Sequence, residues 1–218
     1  MKRPDEIKRR YDDACGTAHA LELLGERWTL LVLRELMLGP RRFSDLREDL
    51  PGISARVLTQ RLAEMEAKGL VVRYRLPPPA SVQVYDASDW GREAEPILQT
   101  MGRWAARSPG HDPSLPISAV SVLLSFRTMI DGERAGERDG VLRFVFGERV
   151  YTGTIAAGRF TVAAGADAAP DVTLAGAPEQ LVGVAYGGAP LELLGVEGDA
   201  ELARWFFSLF ALPEKVTG

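Results

Sequence analysis

Apolar residues recur every three or four positions from Ala18 to Leu24 and again from Trp28 to Leu38. In the second run Leu30, Leu31, Leu33 and Leu36 form a stripe that Gly39-Pro40 ends, so the spacing predicts two short helices. A third helix is expected from Phe43 to Leu50, closed by Pro51-Gly52. Ser54 then stands where a helix N-cap belongs, and the helix it opens runs to Lys68-Gly69. On that fourth segment Val57, Leu58, Leu62 and Met65 face one way and Arg56, Thr59 and Gln60 the other, a helix buried on one side and free to enter a groove on the other.

After Gly69 the period shortens to two. Val71 to Leu76 and Val82 to Tyr85 read as strands around a Pro77-Pro78-Pro79 tip that cannot be helical, which makes a wing. A longer helix is predicted from Asp89 to Arg107, with Trp90, Ile97, Met101 and Trp104 on one stripe. Ser108 to Pro116 holds three prolines and a glycine in nine residues and reads as a linker. The expected organisation is therefore a winged helix-turn-helix domain at 1–107, a linker at 108–116 and a second domain at 117–218.

The second half alternates differently. A helix is expected from Ala119 to Met129 and a polar loop from Asp131 to Gly140. Strands are expected at Val141 to Phe146, Val150 to Ala156, Arg159 to Ala164 and Asp171 to Leu174. Helices from Pro178 to Tyr186 and Ala200 to Leu212 complete a small α+β domain, so the fold class of the chain is α+β.

Composition sharpens this division. The 218 residues are 46% hydrophobic, enough for two cores, and the net charge is -4. Residues 1–107 carry 18 Lys and Arg against 16 Asp and Glu, whereas residues 108–218 carry 8 against 14. Affinity for phosphates needs local positive charge, so a double-stranded DNA partner is assigned to the N-terminal half. The single cysteine excludes an intrachain disulfide framework and a cysteine-based zinc module. His19 and His111 have no Cys/His cluster beside them, so no metal site and no cofactor is expected. With no secretory or membrane-spanning stretch, the chain is expected in the cytoplasm.

The residues Cys15, Leu21, Gly25-Glu26-Arg27-Trp28-Thr29-Leu30-Leu31, Gly39-Pro40-Arg41-Arg42-Phe43-Ser44-Asp45-Leu46, Ile53-Ser54, Leu58-Thr59-Gln60-Arg61-Leu62 and Gly69-Leu70-Val71 resemble the HxlR family of bacterial winged-helix transcription regulators, relatives of the MarR type. That resemblance implies a DNA-binding homodimer. In the second half Ala169-Pro170-Asp171-Val172-Thr173-Leu174, Gly187-Gly188 with Pro190-Leu191, and Val196-Glu197-Gly198-Asp199 before an aromatic-rich helix look like a sterol carrier protein type-2 domain. This second resemblance implies a sterol-carrier-like α+β fold with an apolar ligand cavity.

Candidate DNA contacts follow from side-chain chemistry. Arg56 suits guanine and Gln60 adenine through paired hydrogen bonds, and Thr59 suits a thymine methyl or a phosphate. Ser54 caps the same helix. Arg61 lies nearer the apolar flank and meets either a phosphate or a neighbouring carboxylate. Arg73 and Arg75 share one face of the wing strand, for backbone or minor-groove contact or for solvent. Arg42 and Ser44 stand at the start of the third helix, where one of Arg41 and Arg42 could instead pair with Asp45. Cys15 is a redox candidate or an inert thiol, its reactivity set by its neighbours.

The stripe of the Asp89 to Arg107 helix, with the N-terminal segment, is the expected homodimer seam. In the second half Phe126, Met129, Phe144, Phe146, Phe160, Trp205, Phe206 and Phe210 either fill a core or line a pocket for an apolar small-molecule ligand. No phosphate-binding glycine loop, H-E-x-x-H or G-x-S-x-G elbow is present, so no enzyme is expected. A regulator is thus the expected function, and a lipid or apolar-molecule carrier the alternative.

Overall fold

The computed structural model describes residues 11–166 and 168–217. The chain divides into two compact units, Met1–Ala94 and Glu95–Gly218. The first contains α1 (Gly16–Leu24), α2 (Thr29–Glu35), α3 (Phe43–Asp49), α4 (Ala55–Ala67), the strands β1 (Val71–Arg75) and β2 (Gln83–Ala87), and the single turn α5 (Asp89–Arg92). Its core is aliphatic: Val32, Leu33, Leu36, Leu46, Leu58, Leu62 and Met65 are buried, each drawn from the inward side of a helix. β1 and β2 pair antiparallel from Val71–Ala87 to Arg75–Gln83. Arg41 adds a bridge to Tyr85, donating its N–H to the Tyr85 carbonyl at 2.8 Å, so the backbone entering α3 is tied to the wing.

The second unit begins with α6 (Glu95–Ala106) and continues through α7 (Ala119–Met129), α8 (Gly132–Ala135), β3 (Gly140–Phe146), β4 (Arg149–Ala156), β5 (Arg159–Ala164), β6 (Val172–Ala175), α9 (Pro178–Tyr186), β7 (Gly195–Gly198) and α10 (Ala200–Ser208). The five strands form one sheet in the order β5-β4-β3-β6-β7. Only β3 and β6 run parallel, and the other neighbours are antiparallel. Alternate residues of β3 and β4 point inward, among them Leu142, Phe144, Tyr151 and Ile155, and this face meets the helices. Gly153 in β4 is required by space: a Cβ there would lie 2.6 Å from the Phe160 ring and 2.8 Å from that of Phe144.

Two local expectations are corrected, and one strand is added. The helix predicted from Asp89 to Arg107 is broken into α5 and α6, with Pro96 at the second position of α6, where a missing N–H costs nothing. The polar loop from Asp131 holds the turn α8, capped by Asp131, whose side chain accepts the Arg134 N–H at 3.0 Å. Gly195–Gly198, for which the pattern of apolar positions predicts no element, pairs as an edge strand, because its register with β6 supplies the backbone bonds that its side chains do not favour.

The packing boundary also differs from the proline-rich segment at 108–116. α6 packs against α7, and Arg127 of α7 pairs with Glu95 at the head of α6. Arg103 donates to the Thr128 carbonyl at 3.3 Å. These bonds place α6 with the second unit, thirteen residues ahead of the segment that composition marked.

Candidate nucleic-acid interface

The residues expected to contact DNA stand on α3, α4 and the wing. Ser54 starts α4 as its N-cap, its Oγ accepting the Val57 N–H at 3.2 Å. Leu58, Leu62 and Met65 anchor the helix from below, so Arg56, Thr59, Gln60 and Ala63 are left on its exposed side. Thr59 Oγ1 donates to the Ala55 carbonyl at 2.9 Å, and Gln60 Nε2 donates to Glu64 Oε1 at 3.0 Å. Both side chains are thereby oriented along the helix, and a base edge would compete with these bonds.

Arg61 is not part of that surface. It is 6% exposed, and its guanidinium pairs with Glu26 and Glu64, both at 3.0 Å. Of the two partners foreseen for it, the neighbouring carboxylate is the one it meets. Its position one residue past the outward arc turns it toward the loop before α2, where it ties α4 to Glu26. Arg41 is likewise buried and pairs with Asp49, not Asp45, which clamps the two ends of α3 together.

Arg42, Ser44, Arg73 and Arg75 are exposed. Ser44 Oγ donates to Asp45 at 3.1 Å, and Arg73 lies 3.5 Å from Glu66 at the end of α4. That ion pair is solvent-exposed on both sides and easily exchanged for a phosphate. Arg42, Arg56 and Arg75 form no ion pair among the described residues. Arg47, exposed on α3, belongs to the same cationic set and was not singled out from sequence; its place on the outward side of Leu46 is the signal that would have found it. Lys68 has a structural task, donating to the Glu22 and Leu23 carbonyls at 2.7 and 3.1 Å and so capping α1.

Cys15 is exposed at the N-cap of α1. Hydrogen bonds from the Thr17 backbone, then the Thr17 side chain, then the Ala18 backbone favour its thiolate and lower its pKa from 9.0.

Residues 23–112 match the family of HxlR-like helix-turn-helix proteins. The HTH-type transcriptional regulator YvaP of Bacillus subtilis is 37% identical over 86 residues, 39% of this chain and 80% of that protein. YkvN of the same organism is 41% identical over 93 residues, covering 42% of this chain and 77% of YkvN. This chain belongs to the HxlR-like helix-turn-helix family. Among solved structures, the reduced form of the transcriptional regulator YodB from B. subtilis is 33% identical, with 46% of this chain and all of YodB covered at a TM-score of 0.41.

In this HxlR-like protein five of the eight residues expected either to fill a core or to line a pocket in the second unit, Phe144, Phe160, Phe206 and Phe210 with Phe126 among them, are gathered into one cluster of rings. Phe126 stands 4.7 Å from Phe210, 5.4 Å from Phe206, 6.3 Å from Phe144 and 6.4 Å from Phe160, centroid to centroid. Phe146 packs edge-on to Tyr151 outside that group, and Trp205 lies under the Arg138 guanidinium at 4.7 Å. Met129, at the end of α7, is half-buried and is not among these ring contacts. These five rings are buried and pack against one another stacked, tilted or edge-on. No helix of the described residues is long and apolar enough to cross a membrane.

Proposed function

We propose that this protein is a homodimeric, sequence-specific regulator of transcription that reads duplex DNA with α4 and holds it with α3 and the wing. Arg56, Thr59 and Gln60 are the base-reading side chains. Arg42, Ser44, Ser54, Arg73 and Arg75, joined by Arg47, take phosphates. The observation that carries this reading is the exposed polar side of α4, oriented by a satisfied N-cap and a buried apolar underside. The relatives' description as helix-turn-helix transcriptional regulators supports it.

The dimer seam is assigned to α6, where Ile97, Met101 and Trp104 follow one another at helical spacing yet are 44%, 46% and 75% exposed. An antiparallel two-fold pairing would set Met101 against itself and Ile97 against Trp104, a self-complementary contact. The second unit, with its mixed five-stranded sheet under helices, is read as a sterol-carrier-like module that receives an apolar effector. The protein would work in the cytoplasm, and Cys15 would be its reactive thiol.

The test is a salt titration on a duplex selected from a random library by the protein itself. Arg56→Ala should cost roughly 1–3 kcal/mol on the selected site and relax preference at one base pair, whereas Arg73→Ala should weaken all sequences alike and flatten the salt dependence. Met101→Lys should give a monomer by light scattering with much weaker binding. Parent-like affinity in both arginine variants would overturn the interface, and a monomeric parent of full affinity would overturn the seam.

A further inference from the structure

The end of α6 is held by residues 214–216. Lys215 Nζ donates to the carbonyls of Ala106 and Ser108 at 3.0 Å and of His111 at 3.3 Å. Beside it the Val216 N–H donates to the Arg107 carbonyl at 2.9 Å, and Arg107 Nε to the Glu214 carbonyl at 3.4 Å. A helix C-terminus presents unsatisfied carbonyls and the negative end of its dipole, so the ammonium on the Ala106 carbonyl caps α6, while its bonds to Ser108 and His111 fasten residues 214–216 to the segment that follows.

The two segments joined by this cap border a groove of about 360 Å³. Pro113, Leu115 and Ile117 line it from the segment after α6, Leu212 from the tail, and Val182 from α9. Gly183 keeps the α9 side low, since no side chain projects there. Tyr186 also lines it, its hydroxyl bonded to Ser125 Oγ at 2.7 Å; burial pushes that phenol up to about 12, so it stays neutral. Glu179 is the one charged side chain of the lining, and its Oε1 accepts the Ile117 N–H at the long distance of 3.4 Å. An apolar trough with a single carboxylate at its edge selects hydrocarbon bulk bearing one positive charge.

We propose that this groove binds an apolar organic cation, its body between the 113–117 segment, α9 and Leu212 and its charge on Glu179, and that occupation shifts the tail that Lys215 fastens to α6. The proposal deepens the effector reading above and rests on it. It moves the ligand out of the phenylalanine cluster to a place with room. Leu212 lies three residues from Lys215, so a body seated against Leu212 favours whichever tail position leaves the groove widest. A ligand biases α6 only through such a difference in affinity between two arrangements. α6 follows Ala94 directly and carries the Ile97, Met101 and Trp104 stripe, so its position is the quantity a dimeric reader would sense.

The experiment uses the full chain and three probes of one apolar body: (6-phenylhexyl)trimethylammonium, 6-phenylhexan-1-ol and 6-phenylhexanoate. Calorimetry should rank them cation, alcohol, anion, with the cation about fivefold tighter than the alcohol. Glu179→Gln should erase the advantage of the cation. Gly183→Leu should abolish all three, and because a Cβ there meets only Ala189 Cβ at an ordinary 3.5 Å, the melting temperature of the unliganded variant checks that it folds. Lys215→Met should keep cation binding but lose the change in dimer mass and operator affinity that the cation causes in the parent.

Absence of heat from every probe, an anion or alcohol that binds as tightly as the cation, or undiminished binding by Gly183→Leu overturns the site. A cation that binds and alters neither dimer mass nor operator affinity overturns the coupling. A parent that ranks the probes as expected but binds no DNA refutes the regulator reading and leaves the groove standing.

Discussion

The two units spend their distinctive residues in opposite ways. On α4 the long polar side chains Arg56 and Gln60 point away from a core of leucines and a methionine, while in the second unit Phe126, Phe144, Phe160, Phe206 and Phe210 all point toward one another. An outward-facing set is legible from spacing, because polar residues at helical intervals opposite apolar ones have only one comfortable side. An inward-facing set is not. The same five aromatic residues satisfy a hollow or a solid interior equally well, and only the placement of their rings distinguishes the two. The difference teaches that a site displayed on a surface is easier to read from sequence than a cavity enclosed in a core.

The largest effect is expected at Phe126, which touches six other rings. Phe126→Ala should destabilise the second unit by about 3–5 kcal/mol in denaturant unfolding, the cost of a cavity in a packed core. A loss below about 1 kcal/mol, with a gain in affinity for a bulky apolar probe, would mean that the rings line a space after all.

A smaller effect is expected at Arg61, where sequence left two roles open. Arg61→Ala removes a buried guanidinium from between Glu26 and Glu64 and should cost stability by roughly 1–3 kcal/mol, since Glu26 is partly exposed and recovers some hydration. Its neighbour offers the contrast: Arg56→Ala should leave stability within about 0.5 kcal/mol while weakening DNA binding. If Arg61→Ala left the melting curve unchanged and reduced only the slope of affinity against salt, Arg61 would be a phosphate contact.

The smallest effect concerns Cys15. Because its thiolate is favoured in the folded protein, iodoacetamide labelling should rise with pH around a midpoint below 9.0, and the midpoint should return toward 9.0 in denaturant. The depressed folded pKa contributes stability at pH above the unfolded thiol's pKa, lost as pH falls through the folded value. Thr17→Val should raise the labelling midpoint, as its hydroxyl bond is removed. An unchanged midpoint in the folded protein, the denatured chain and Thr17→Val would show that the helix start does not act on the thiol.

Sequence determined what depends on neighbours along the chain. The caps and breakers around α3 and α4, the N-cap at Ser54, the wing with its proline tip and the outward trio Arg56, Thr59 and Gln60 are local statements, each set by a few consecutive residues and the pitch of a helix or strand. Tertiary structure decided what depends on residues far apart. It turned Arg61 inward to Glu26 and Arg41 inward to Asp49, because a guanidinium at the edge of an apolar face goes wherever a carboxylate waits, and that carboxylate belongs to another element. It recruited Gly195–Gly198 as a strand through the register of β6 and gave α6 to the second unit through Arg127 and Glu95. It closed the phenylalanine cluster and left the groove beside Leu212 open, since whether a volume is filled is a property of all its walls together and of no segment alone.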